Sequence, residues 1–253
     1  NRPALIWSIH LRSTRSVDPK RTSSLVAARL EPCIAALGQG EKFMDSAVLI
    51  IAAVLMAVLG AVYIKGRERN KKKVLAFKAA ATLVADVLAV IAAIHEGTFA
   101  AWCVAVGIFL YACADILLEI KFIWGIICFG MGHFWVIAGI GMEGASGFVT
   151  MLVFVLLYGS ALGIFYHDFG KLKQLKIPGL IYAALLCTMC ASTFGAAFAN
   201  GTVWNWARAA GGLCFVVSDG IIAKNFVKRS RSRLSGVVLM ILYYTAVFLL
   251  ALH

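Results

Sequence analysis

Charge is scarce in this chain. Only 14% of its 253 residues are Asp, Glu, Lys or Arg, against 62% that are hydrophobic, a balance no ordinary soluble domain has. That scarcity excludes a soluble enzyme. The placement of the charge excludes a nucleic-acid partner, because most of the net +12 sits in short stretches between apolar runs, where it orients a protein in a bilayer. Proline is nearly missing too. Of the four prolines only Pro178 falls within the apolar part, so no pair of broken helices of the kind found in many secondary transporters can be traced. Histidine is equally sparse, and only His133 lies deep in an apolar run, with His95 and His167 near run ends. No metal and no cofactor is expected from such a set. Six of the seven cysteines lie in apolar runs, where free cysteine behaves as a small hydrophobe. The Cys187-x-x-Cys190 pair has no second pair and no histidine beside it, which argues against a redox or metal role.

What the chain has instead is length in its apolar runs. Eight of them cover about 46–64, 74–94, 98–118, 122–140, 147–166, 180–198, 206–223 and 234–252. Each is close to the ~20 residues a bilayer core requires. Inside lipid every backbone group must find a partner within its own segment, so these are helices. The fold class is all-α, a polytopic transmembrane helical bundle of about eight spans.

The loops set the orientation. "KGRERNKKK", Lys121, "HDFGKLKQLKIPG" and "KNFVKRSRSR" together hold fifteen Lys and Arg, whereas "HEG", "GMEGAS" and "NGTVWN" hold none. The basic loops are therefore expected in the cytoplasm and both termini outside. The membrane is a bacterial plasma membrane or an endoplasmic reticulum. Residues 1–43 conflict with this, because seven basic residues among them (Arg2, Arg12, Arg15, Lys20, Arg21, Arg29 and Lys42) would have to cross the bilayer. Met44 stands directly before the first run. The expectation is a non-native or disordered extension over 1–43 and an eight-helix transmembrane domain over 44–253.

Few ionisable groups lie inside the spans: Lys78, Asp86, Asp115, His133, Arg208 and Asp219. Charges at such depth are costly and usually face the bundle interior or a wet cavity. At ~1.5 Å per residue, Asp115 and Asp219 both fall within one or two turns of the basic-loop face, and His133 lies deeper. Asp86 is equally deep and carries no assignment beyond a supporting one. Lys78 and Arg208 sit near span ends and are expected to snorkel toward the interface. Two neighbouring carboxylates can divide the work of acid and base, and a histidine can relay a proton to one of them. A plainer reading stands beside this one: a lone membrane Asp can pair structurally with Lys78, His133 can be a structural hydrogen-bonding group, and Tyr243 and Tyr244 can simply pack.

The segment "ACADILLEIKFIWGIICFGMGHFWVIAGI" resembles the signature of the YhhN family, lysoplasmalogenase-like membrane proteins, through Ala114-Asp115 and the aliphatics after it, Gly125, Phe129 and His133. "GGLCFVVSDGIIAKNF" is similar to the family's second signature, with Ser218-Asp219 and Ala223-x-x-Phe226, and "LYYTAVFLLA" looks like its closing Tyr-rich helix. Lys78 matches a lysine of the family's second helix. The chain departs at Ala114, where the family has Gly, at Tyr111, where it often has Ser, and at Val136, where it has Tyr.

The resemblance implies a hydrolase that cleaves the vinyl ether of a lysoplasmalogen to a fatty aldehyde and a glycerophospho-alcohol. Its partners would be a lysophospholipid substrate and the bilayer, without nucleic acid. The residues suit that chemistry. A vinyl ether is hydrolysed by protonation at its β-carbon, followed by addition of water to the oxocarbenium ion, which needs a general acid and a carboxylate. Asp115 and Asp219 are expected as that pair, facing each other across a pocket, with His133 tuning or relaying. Ser218 would orient its neighbour or a water, and Lys78 would meet the lipid phosphate. Asp86 and Tyr243 complete the supporting set. The competing class is a proton-coupled small-molecule or lipid transporter that uses the same buried Asp and His residues.

Overall fold

The computed structural model of the chain describes residues 46–67, 71–167, 176–228 and 232–252. The expectation for residues 1–43 lies outside the described residues. Eight helices follow one another: α1 (Ser46–Gly66), α2 (Lys71–Glu96), α3 (Phe99–Ile120), α4 (Phe122–Met142), α5 (Gly147–Phe165), α6 (Lys176–Asn200), α7 (Val203–Lys228) and α8 (Arg233–Leu250). All eight are long and apolar enough to cross a membrane, as the apolar runs required, so this is an integral multi-pass membrane protein. Helices α2, α6 and α7 reach beyond their apolar runs at one or both ends. A helix need not stop where hydrocarbon stops.

Short turns force neighbouring helices to run antiparallel. Thr98 caps α3, its hydroxyl accepting from the Ala101 amide at 3.2 Å, and Ser232 caps α8 by accepting from the Ser235 amide at 3.0 Å. At the opposite polarity, Gly97 (φ 65°) and Gly201 (φ 67°) close α2 and α6 in the left-handed region, each returning its amide to the carbonyl four residues back (Ala93 at 3.0 Å and Ala197 at 2.9 Å). That conformation is easy only for glycine.

Sequential helices pack on each other except α4 and α5, α4 packs instead on α6, and α8 returns to α1 and α2. Most of the bundle thus closes on itself, and α5 packs chiefly on α6 with no fully buried residue. Small residues let the central helices approach. A Cβ on Gly132 would meet the Tyr111 ring at 2.6 Å and the Gly107 carbonyl at 2.9 Å. Many other large apolar side chains point outward, among them Ile51, Val54, Phe134, Leu156 and Ile241. Such an exterior suits lipid, where apolar surface outside the bundle costs nothing.

Candidate functional site

A cavity of about 210 Å³ lies between α4, α5, α6 and α7. On α7 its wall follows one helical stripe, Val216, Asp219, Ile222, Ala223 and Phe226, spaced three and four residues apart as one face of a helix requires. Gly179, Tyr182, Ala183 and Leu186 form the matching stripe on α6. The cavity extends to the basic-loop end of the bundle, where Phe122, Phe165 and Phe226 line it and the rings of Phe122 and Phe226 stack at 5.4 Å. The lining is almost wholly apolar. Asp219 is its only ionisable carboxylate, and it lies toward the inner part of the cavity beside Tyr182.

Asp219 is held from one side. The Tyr182 hydroxyl donates to Asp219 Oδ2. The same hydroxyl lies 3.3 Å from His133 Nε2, and His133 Nδ1 lies 2.6 Å from the Tyr111 hydroxyl. His133 and Tyr111 are fully buried and neither lines the cavity. His133 is therefore in the site as a neighbour of Tyr182, not as a group facing the cavity. Tyr182 was not singled out from the sequence, yet the signal was there. It is a hydroxyl inside an apolar run, and buried tyrosine needs a partner for that hydroxyl.

Asp115 belongs to a second network. Lys78 Nζ lies 3.0 Å from its Oδ1, while the hydroxyls of Thr82 and Tyr243 donate to its Oδ2 at 2.6 and 2.9 Å. Lys78 and Thr82 come from one face of α2, since they are four residues apart. Asp115 is fully buried and does not line the cavity. The expectation that it faces Asp219 across a pocket is corrected in that respect. Phe215 stands between the networks, its ring 4.9 Å from His133 on one side and 5.5 Å from Tyr243 on the other. The two carboxylates remain within electrostatic range, and Lys78 acts on both.

Other expected residues take different places. Lys78 does not snorkel. It is buried at 5% exposure, because an ion pair with Asp115 outweighs the reach to the interface. It is not free to meet a lipid phosphate. Arg208 does not snorkel either. It is buried and binds Glu143 through both terminal nitrogens, at 2.5 and 3.2 Å, the bidentate geometry that suits a guanidinium. Ser218 does not orient Asp219. Its hydroxyl donates to the Leu239 carbonyl on α8 at 3.4 Å, because it lies one position round the helix from the cavity stripe. Tyr243 does more than pack, through its bond to Asp115. Asp86 is buried, joins neither network, and does not line the cavity.

The sequence model of the YhhN family matches residues 73–253. No match was found among curated proteins or among solved structures. The matched stretch contains Tyr182, Asp219 and their supporting chain, and Asp115 with Lys78, Thr82 and Tyr243. With well over half of the chain covered by that match, this protein belongs to the YhhN family.

Proposed function

We propose that the protein hydrolyses the vinyl-ether bond of lysoplasmalogens, releasing a fatty aldehyde and a glycerophospho-alcohol. One observation carries this reading: a single carboxyl, Asp219, faces an otherwise apolar cavity between membrane helices. An aliphatic chain fits such walls, and one acid or base is what the reaction asks of them. The family includes lysoplasmalogenases, which supports the choice of bond.

The chemistry balances on one carboxyl. In its protonated form Asp219 donates to the β-carbon of the vinyl ether, giving an oxocarbenium ion and an aspartate beside it. The aspartate stabilises that cation in a low-dielectric site. It then takes a proton as water adds to the α-carbon, and the resulting hemiacetal collapses. The carbon–oxygen bond to glycerol breaks, its oxygen gains the proton, and the aldehyde forms as the new hydroxyl loses one. No serine nucleophile is needed. Asp115 serves as the partner of Lys78, and together they fix the electrostatics behind the aromatic layer. With Lys78 committed inside, the phosphate is assigned to the basic-loop end. There Lys176 precedes Gly179 by one turn on the cavity face of α6, and Lys121 lies between the lining residues Leu118 and Phe122.

The test is aldehyde release by the full-length protein in detergent, given alkenyl lysophospholipids with ethanolamine and choline head groups. Wild type is expected to release aldehyde, and Asp219→Asn to lose at least about 100-fold in rate while eluting as the same folded species. Turnover in detergent, where no gradient exists, also separates the enzyme from a proton-coupled transporter. Absence of aldehyde from folded wild type overturns the reading.

A further inference from the structure

The hydrogen bonds behind Asp219 have a direction. A phenol has one hydrogen, and that of Tyr182 is committed to Asp219 Oδ2. The Tyr182 oxygen can then only accept from His133 Nε2, 3.3 Å away. That places the imidazole hydrogen on Nε2 and leaves Nδ1 with a lone pair, which accepts the Tyr111 hydroxyl at 2.6 Å. Each donor in the series Tyr111, His133, Tyr182 points toward the carboxyl. The series ends at Tyr111, fully buried and with no hydrogen bond reaching its oxygen among the described residues. It can orient Asp219 and polarise it, and donors in series strengthen one another.

Packing fixes the geometry. The missing Cβ of Gly132 makes the space for the Tyr111 ring, which lies against His133 and Phe215 with centroids 5.1 Å away in each case. Phe215 closes the other side of His133 at 4.9 Å. Tyr182 alone of the three reaches the cavity wall. Its bond occupies Oδ2 and leaves Oδ1 of this cavity-lining carboxyl without a hydrogen bond among the described residues, so Oδ1 is the oxygen left to exchange a proton.

We propose that Tyr182 is a positioning residue, which holds the Asp219 carboxyl for proton transfer through Oδ1 and is itself held as a donor by His133 Nε2–H. The inference rests on the vinyl-ether reading above. As Asp219 gives its proton to carbon, charge develops on the carboxylate, and the donor on Oδ2 stabilises it then more than before. When water adds, the carboxylate regains a proton and the series returns to its starting state. The directional chain, rather than the mere presence of His133, is what supports the carboxylate.

The experiment is steady-state hydrolysis of alkenyl lysophosphoethanolamine by the full-length protein and five variants, each checked for an unchanged elution profile and melting temperature. Tyr182→Phe keeps the ring and is expected to lower kcat about 10- to 100-fold, the range of one hydrogen bond to a charged group, with KM within about twofold. His133→Gln places an amide N–H where Nε2–H stood and is expected to retain most of kcat. His133→Leu and His133→Asn, which lack that donor, are expected to fall as far as Tyr182→Phe. Combining Tyr182→Phe with His133→Leu should cost no more than either alone, because both break one chain. A wild-type kcat in Tyr182→Phe, equal losses in His133→Gln and His133→Leu, or additive losses in the double variant would each overturn the proposal and leave the reaction standing. An inert wild type would overturn the reaction and the proposal with it.

Discussion

Two of the carboxylates inside this bundle, Asp219 and Asp115, have neighbours that give them different work. Asp219 accepts one hydroxyl and lines a cavity. Asp115 is held by an ion pair with Lys78 and by the hydroxyls of Thr82 and Tyr243. A buried charge that loses its only counter-charge is strongly destabilising, by about 3–5 kcal/mol, whereas replacing both partners by apolar groups is often neutral. Lys78→Met is therefore expected to destabilise the protein by about that amount, since it leaves aspartate unpaired, and the double variant Lys78→Met/Asp115→Leu to recover most of the loss. Unfolding in a denaturing-detergent titration checks the stabilities. Aldehyde release from the double variant within about tenfold of wild type is the outcome expected of a structural pair. Loss as complete as that of Asp219→Asn would return Asp115 to the chemistry. The sequence marked both Asp residues by the same criterion, charge within an apolar run, and that criterion cannot separate a paired carboxylate from a presented one. The difference arises from α2. Lys78 reaches Asp115 only because α2 packs on α3, and no spacing within the sequence states that contact.

At the scale of the helix, the spans were legible because lipid imposes a single rule, an apolar run of about the right length with every backbone group paired inside it. Which face of each helix looks inward was less legible. These helices are apolar all round, so periodicity does not separate the buried side from the lipid side. Glycine placement carries that information instead. Gly132 is a slot for Tyr111, and a methyl there would strike the ring at 2.6 Å and the Gly107 carbonyl at 2.9 Å. Gly220 is the contrasting case, a helical glycine on the cavity wall whose added Cβ would meet nothing within 4 Å. Gly132→Ala is expected to cost about 1–3 kcal/mol through overpacking and to lower kcat by displacing Tyr111 from His133. Gly220→Ala is expected to be neutral or to stabilise by up to about 1 kcal/mol, from better helix propensity. Melting temperatures of the two variants in one detergent check the sign of each effect. A stabilising Gly132→Ala would mean that α3 and α4 do not approach as closely as described. Tyr111 belongs to this contact too, since its long side chain spans from α3 to His133.

Over the whole molecule, the charged ends of the helices bear on the leaflet from which the proposed substrate would enter. The cavity reaches the end of the bundle that carries Lys121, Lys176 and Lys228, and the positive-inside rule predicts that this end is cytoplasmic. A single-chain lipid has its phosphate at the interface and its chain below, so a head group near Lys121 and Lys176 would leave the vinyl ether a few bonds deeper, toward Asp219. Such a lipid would enter from the cytoplasmic leaflet, and the glycerophospho-alcohol would leave to the same side. This predicts a labelling pattern. Gly147 lies at the opposite end of the bundle, exposed and with room for a side chain, and Lys121 is exposed in the basic turn between α3 and α4. In intact cells a membrane-impermeant maleimide is expected to label Gly147→Cys and to leave Lys121→Cys unlabelled until the membrane is opened. The parent protein serves as the background, since its cysteines in the described residues are buried or half-buried. The reverse pattern would invert the bundle. It would leave Asp219 and its chemistry as they are, but the substrate would then have to come from the outer leaflet, and the phosphate would be met by lysines outside the cell.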